Sequence, residues 1–255
     1  MLTWFRRQKS RALQMRLAII SDIHGNLEAF RQVLKDIDAS SVDDVACLGD
    51  NIGYGPDPEE VVRLLRSRSI ASVMGNHELA VLDEACLMKM NLSARRSLLL
   101  TKALLSKETL DYIKGLKASM AFHGSLCVHG YPPDSVTTYL FQASETALRQ
   151  TFLAMKERIC FVGHTHDLRL IRFDGENVTW DSLRQGKASL DKDLQYIVNV
   201  GSVGQPRDGN NRAKYVIWEP ASSTLEVRFI PYDIGATAEK ILALGFPEFN
   251  ARRLW

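Results

Sequence analysis

The chain has 255 residues, 45% of them hydrophobic, enough to bury a full core. With 32 Lys and Arg against 30 Asp and Glu, the formal net charge is +2, which excludes a broad electrostatic footprint for nucleic acid or an anionic membrane. Any affinity for anions must therefore be local.

Residues 1–14, MLTWFRRQKSRALQ, are basic but hold no apolar run long enough for a signal peptide or a membrane span. They read as an N-terminal basic extension, with disorder one reading of it. Residues 15–255 read as a single domain, because no Ser/Gly/Pro-rich linker interrupts them. The run LAII at 17–20 predicts a strand, and Leu27, Phe30, Leu34 and Ile37 recur at helical spacing behind it. VACL at 45–48 predicts a second strand, VVRLL at 61–65 lies in a helix, and IASVM at 70–74 predicts a third strand. Each strand stops at a polar cluster: SDIHGN at 21–26, GDNIGYGPDP at 49–58 and GNHE at 75–78. In α/β sheets ligands bind beyond the carboxyl ends of the strands, so three polar loops converge on one rim.

Residues 79–116 read as mostly helical, with Ser93 and Ser106 as candidate N-caps. Strand-like segments follow at SLCVHG (125–130) and RICFVGHTH (158–166), and both end in histidine-bearing loops. Beyond them LRLIRF, NVTW, QYIVNV, KYVIWE and TLEVRF give a β-rich half with hairpin signals. The four cysteines, Cys47, Cys86, Cys127 and Cys160, stand far apart without a C-x-x-C pair. Neither a disulfide framework nor a zinc ribbon is expected, and a reducing cytoplasm is the compartment that fits.

Of the six histidines, His24, His77, His129, His164 and His166 sit in short Gly-flanked motifs just after predicted strands. His123 lies outside every motif and reads as structural. If the chain stays extended through D-I-H and H-T-H, alternation points Asp22 with His24, and His164 with His166, to one side. Imidazole nitrogen mixed with carboxylate and amide oxygen suits Mn²⁺, Fe or Zn²⁺ better than Ca²⁺. Two such cations would repel one another, and Asp50, after Gly49, is the candidate carboxylate to lie between them. Their charge would exceed that of Asp22 and Asp50, a surplus suited to a phosphate anion and to an activated water.

The motifs D-x-H, G-D, G-N-H-E, V-H-G and G-H-T-H, in this order between Ile20 and Gln205, resemble the calcineurin-like metallophosphoesterase superfamily. NVGSVGQPRDG at 199–209 is similar to its bacterial branch of small phosphodiesterases and diadenosine-polyphosphate hydrolases. The resemblance implies an α/β fold, a four-layer αββα sandwich of two mixed β-sheets flanked by helices. It implies that Asp22, His24, Asp50 and His166 hold one divalent metal ion and Asp50, Asn76, His129 and His164 a second, with a bridging hydroxide as nucleophile. It also implies that His77 is catalytic, touching the phosphate and protonating the leaving oxygen without being a ligand. Glu78, where many relatives carry Asp, either orients His77 or leads into the next helix. Arg207 is a candidate phosphate clamp and Tyr54 a candidate stacking residue, each with a plain surface or turn role as the alternative.

The expected activity is hydrolysis of a phosphodiester or nucleotide-like phosphate ester, with a diadenosine-polyphosphate hydrolase and a phosphoprotein phosphatase as enzymatic alternatives. A protein-binding scaffold of the same fold is the non-enzymatic one. Scaffold members usually lose ligands or the catalytic histidine, and this chain keeps all of them. A small phosphate ester is the expected partner, without membrane or nucleic acid.

Overall fold

The structure, a computed structural model, describes residues 15–255; the basic extension expected at 1–14 lies outside the described residues. In chain order the strands are β1 (Leu17–Ile20), β2 (Asp44–Cys47), β3 (Ala71–Ser72), β4 (Ser119–Phe122), β5 (Ser125–Val128), β6 (Ile159–Val162), β7 (Leu168–Phe173), β8 (Val178–Ser182), β9 (Gly186–Ser189), β10 (Gln195–Val200), β11 (Ala213–Glu219) and β12 (Thr224–Ile230). They form two six-stranded sheets, ordered β3-β2-β1-β11-β12-β9 and β4-β5-β6-β10-β7-β8. Both are mixed: β1 runs parallel to β2 and antiparallel to β11, and β10 runs parallel to β6 and antiparallel to β7.

The period-2 alternation of side chains assigns each strand's residues to two layers of core. Leu17 and Ile19 of β1, with Val216 and Trp218 of the adjacent β11, face the other sheet, where they meet Phe161 and Val198. Ala18 and Ile20 face outward, against Phe30, Val33 and Ile37 of the helix Leu27–Ala39 and Val61 and Leu65 of the helix Pro58–Ser67. In β6, Phe161 joins the seam between the sheets, while Cys160 and Val162 pack outward with Leu148 and Phe152 of the helix Glu145–Ala154. The result is the expected sandwich of helices, sheet, sheet and helices. Central strands buried on both faces explain why LAII and ICFV read as unbroken apolar runs.

Two local expectations differ. Asn91, not Ser93, caps the helix Leu92–Leu104 by accepting the Ala94 N–H at 2.9 Å, whereas Ser106 does cap Lys107–Lys114. The expected third strand shrinks to Ala71–Ser72, with a single bridge from Val73 to Lys117. Among the described residues no helix is long and apolar enough to cross a membrane.

Helix Leu27–Ala39 is tied to the sheet by a polar cradle. Arg228 of β12 donates to Asp36 at 2.7 and 3.1 Å, and the Tyr215 hydroxyl donates to the same carboxylate at 2.6 Å. Partial burial opposes the Asp36 charge, but these donors outweigh it and hold the carboxyl below its ordinary range. A depressed folded-state pKa stabilises the protein above the unfolded value of about 3.9, and that contribution is lost as pH falls through the folded value. Asp36→Asn is expected to cost roughly 1–2 kcal/mol at neutral pH, discounted for partial exposure. In urea titrations at several pH values, the gap from wild type should close below about pH 4; a constant gap would contradict this account.

Candidate metal centre and its cavity

The loops after β1, β2 and β3 in one sheet and after β5, β6 and β10 in the other meet at a common rim. The β1 loop continues beside the β2 loop through Asp22 N–H to Gly49 O (3.0 Å), His24 N–H to Asp50 O (2.9 Å) and Gly25 N–H to Asn51 O (2.8 Å). The chain is not extended there. Asp22, His24, Asp50, His164 and His166 all have left-handed backbones, with φ of 54°, 50°, 52°, 68° and 63°. Asp22 and His24 therefore share a site because both residues turn left-handed, not because a strand alternates, and the same holds for His164 and His166. Such conformations cost roughly 1–3 kcal/mol each in a residue with a Cβ, and they persist where surrounding contacts impose them. Gly49 is one such constraint: a Cβ there would lie 2.5 Å from the Gly75 nitrogen, so the β2 and β3 loops touch backbone to backbone.

All seven candidate ligands come together, each nine-tenths or more buried except Asn76, which is partly buried. His166 Nε2 lies 3.1 Å from Asp22 Oδ1 and 3.1 Å from His24 Nε2. His129 Nε2 lies 3.0 Å from Asn76 Oδ1. One carboxylate oxygen, Asp50 Oδ2, sits 3.3 Å from His129 Nε2 and 3.6 Å from His24 Nε2, between the two groups. Its other oxygen accepts the His77 N–H at 2.9 Å. The potential ligand atoms fall into three overlapping sets: Asp22, His24 and His166; Asp50, His129 and His164; and His24, Asp50 and His77.

Backbone carbonyls fix which imidazole nitrogen is available. Nδ1 of His24, His129 and His166 faces Ile52 O (3.0 Å), Leu48 O (2.8 Å) and Gln205 O (2.6 Å). A carbonyl only accepts, so each Nδ1 carries a proton and Nε2 is the nitrogen turned into the site. For His164 the roles reverse: Nε2 faces Thr137 O at 3.2 Å, leaving Nδ1 as the lone-pair nitrogen. Asp22 Oδ2 accepts from Ser21 Oγ (2.6 Å) and the His164 N–H (3.0 Å), while Oδ1 is buried with no hydrogen-bond partner. Lone pairs and an orphaned carboxylate oxygen converging within about 3 Å are what a cation would satisfy, so the donor set fits divalent metal ions.

Burial holds His24 well below its ordinary pKa and brings His77 down to about 4 and His164 to about 3, keeping these rings neutral. Burial opposes charge on both Asp50 and His129, but each favours the other's charge, so His129 is raised to about 9 and Asp50 is held well below the usual carboxylate range.

His77, 2% exposed, packs edge-on to His24 at 4.7 Å, with Nε2 3.9 Å from Asp50 Oδ2 and Nδ1 without a partner. Glu78 does not orient it. It lies in the helix Asn76–Leu82, as one expectation had it, but its carboxylate turns back and accepts the N–H groups of Gly75 and Asp50 (2.9 Å each), Asn51 (2.7 Å) and Ile52 (3.3 Å). Glu78 thus locks the β3 loop to the β2 loop, and four converging amides explain why a fully buried carboxylate is kept. Glu78→Gln places an NH₂ against donors and should destabilise the protein by roughly 2–4 kcal/mol, measured by urea unfolding. A loss under about 0.5 kcal/mol would show that the clamp is dispensable.

A cavity of about 660 Å³ opens over Asp50, Asn76, His77, His164 and His166, and both Tyr54 and Arg207 line it. Tyr54 is 9% exposed, with its ring 4.6 Å from His77 and the Arg207 guanidinium 5.9 Å from its own centre. The sequence reading missed the opposite wall, Ser135 to Tyr139. There Tyr139 stacks on His164 at 3.9 Å, and Phe141 stacks on Tyr139 at 5.1 Å. It also missed the C-terminal helices Ile234–Ala243 and Glu248–Arg252 as parts of the site. Asn250 Nδ2, buried, donates to Tyr54 O (3.0 Å) and Ser97 Oγ (2.9 Å), and Thr237 Oγ1 lies 3.0 Å from Asn26 Oδ1 beneath the β1 loop. Ser202 ties the β1 loop to the loop after β10: its hydroxyl donates to Asp22 O at 2.9 Å and receives the Gln205 N–H at 2.8 Å. His123 stands apart, exposed, 2.8 Å from Asp44 Oδ2.

A profile described as calcineurin-like phosphoesterase superfamily domain matches residues 15–223. An uncharacterized protein of Methanocaldococcus jannaschii is 34% identical over 244 residues, 94% of this chain and 97% of its own. The chain belongs to the calcineurin-like phosphoesterase superfamily. A metallophosphoesterase of Sphaerobacter thermophilus superposes on this phosphoesterase with a TM-score of 0.81 at 38% identity, covering 94% of this chain and 98% of that one. A hypothetical protein of Pyrococcus horikoshii shares the fold, with a TM-score of 0.77 at 15% identity over 94% of this chain and 98% of its own. Membership sets the reaction class of this phosphoesterase as metal-dependent hydrolysis of phosphoric esters.

Proposed function

We propose that this phosphoesterase hydrolyses a phosphodiester or nucleotide-like phosphate ester at a dinuclear metal centre within one domain spanning residues 15–255. The observation that carries the reading is the position of Asp50 Oδ2, facing His24 Nε2 at 3.6 Å on one side and His129 Nε2 at 3.3 Å on the other. One oxygen with imidazoles on both flanks suits a bridge. Asp22, His24, Asp50 and His166 would hold one ion, and Asp50, Asn76, His129 and His164 the other, with Mn²⁺, Fe or Zn²⁺ matching the donors. When bound, such ions supply Lewis acidity toward water and toward the charge that develops at phosphorus.

The chain's own residues do the rest. The left-handed loops and their carbonyl partners hold the ligand atoms in place before substrate arrives, so little reorganisation accompanies reaction. His77, at the edge of the cavity and tied through its backbone N–H to Asp50, is placed to donate a hydrogen bond from its neutral ring to a phosphoryl or leaving-group oxygen. Arg207, beside Tyr54, offers a guanidinium to the substrate phosphate. A cavity of about 660 Å³ far exceeds a bare phosphate, which supports an ester with a sizeable organic group. The decisive experiment is turnover of bis-p-nitrophenyl phosphate by purified protein loaded with Mn²⁺, Fe²⁺, Ni²⁺ or Zn²⁺. Hydrolysis with at least one ion and none after chelation is expected; no hydrolysis with any of them would favour the scaffold.

A further inference from the structure

Arg207 lines a second cavity as well. This one, of about 570 Å³, opens beside the β6–β7 turn, where Arg169 of β7, Arg184 and Arg207 face it together with Asp167 and Asp208. The Arg207 N–H bonds to His166 O at 3.4 Å, so the second cavity begins one residue from the metal-site loop.

The charges around it do not cancel. Asp208 is already paired, at 2.8 Å, with Lys214, whose side chain is fully buried. Three guanidinium groups then face one uncommitted carboxylate, that of Asp167. Among the described residues Arg169 makes one weak side-chain contact, to Ser182 Oγ at 3.3 Å, and Arg184 and Arg207 form no ion pair within 4 Å. Arg253 approaches Arg207 from the C-terminal helix and is held below its ordinary range by burial and then by the Arg207 charge. Unpaired guanidinium groups gathered beside a phosphoesterase site cost electrostatic energy that an anion would relieve.

We propose that this cavity is a second anion subsite, in which Arg169 and Arg184 receive a further phosphate group of a substrate whose scissile phosphate lies at the metal centre, with Arg207 between the two. The substrate class is then a phosphate ester bearing at least two phosphates. The proposal rests on the hydrolase reading for what the first phosphate does, but the subsite itself is a matter of binding.

Calorimetry on the metal-loaded, full-length protein tests it, with ADP and adenosine 3′,5′-bisphosphate each compared with AMP. The better of these two ligands, the diphosphate or the bisphosphate, is expected to bind at least about tenfold more tightly than AMP. In R169Q/R184Q that preference should fall to within about twofold, with R184Q alone intermediate. Neither position is buried, so both variants should melt at the wild-type temperature. Equal affinity for AMP, ADP and the bisphosphate in wild type, or an undiminished preference in the double variant, overturns the subsite. Preference without turnover of bis-p-nitrophenyl phosphate would sink the hydrolase reading and leave the subsite standing; turnover without preference does the reverse.

Discussion

Asp50→Asn is expected to weaken both metal sites together and to lower kcat/KM roughly a thousandfold or more, about 4 kcal/mol of transition-state stabilisation. The substitution is nearly isosteric, and an amide oxygen can still accept the His77 N–H that Asp50 Oδ1 now accepts at 2.9 Å. What it removes is negative charge from the one oxygen that faces His24 and His129 at once. A carboxylate serving a single ion would leave the other bound normally. Metal titration followed by elemental analysis separates the cases: one site filling at wild-type affinity while the other stays empty would disprove the bridge.

His77→Ala is expected to retain both ions and to lose about 10²–10⁴ in kcat, the range for a positioned hydrogen-bond donor or acid–base group. The geometry makes this a real test. His77 Nε2 is close enough to Asp50 and His24 for the three to form a potential ligand set of their own. Yet its ring leans on Tyr54 at 4.6 Å and borders the cavity, and its Nδ1 has no partner. If His77 were a ligand, the alanine variant would lose stoichiometric metal. Retained metal with near-normal kcat would instead leave His77 a packing residue.

Most of the site was legible because its chemistry is written in short local motifs. Asp22 with His24, Asp50, Asn76 with His77, and His164 with His166 each follow a strand, and strands with unbroken apolar runs are easy to place. The reason given for D-I-H was wrong even though the pairing was right: backbone conformation at Asp22 and His24 is imposed by the neighbouring β2 loop, which no local reading includes. Glu78 does lie in the following helix, one of its two expected roles, but its clamp went unread for a related cause, since its partners are main-chain amides, those of residues 50–52 among them, and amides carry no sequence code. The Thr137 carbonyl that fixes the His164 tautomer is invisible for the same reason. Asn250 reaches Tyr54 across 196 positions, beyond any periodicity or spacing argument. Strand β9, Gly186–Ser189, is short, polar and at a sheet edge, and it pairs only with β12, so it left no apolar signal.

The division of the candidate ligands between the sheets has a mechanical consequence. Asp22, His24, Asp50 and Asn76 hang from the ends of β1, β2 and β3, whereas His129, His164 and His166 hang from β5 and β6 in the opposite sheet. In the set of Asp22, His24 and His166 and in that of Asp50, His129 and His164, a bound ion would be gripped from both halves of the sandwich, acting as a rivet through the apolar seam of Leu17, Ile19, Phe161 and Trp218. Prying the sheets apart would then require giving up the ion, so unfolding temperature should climb with free metal concentration and fall on chelation.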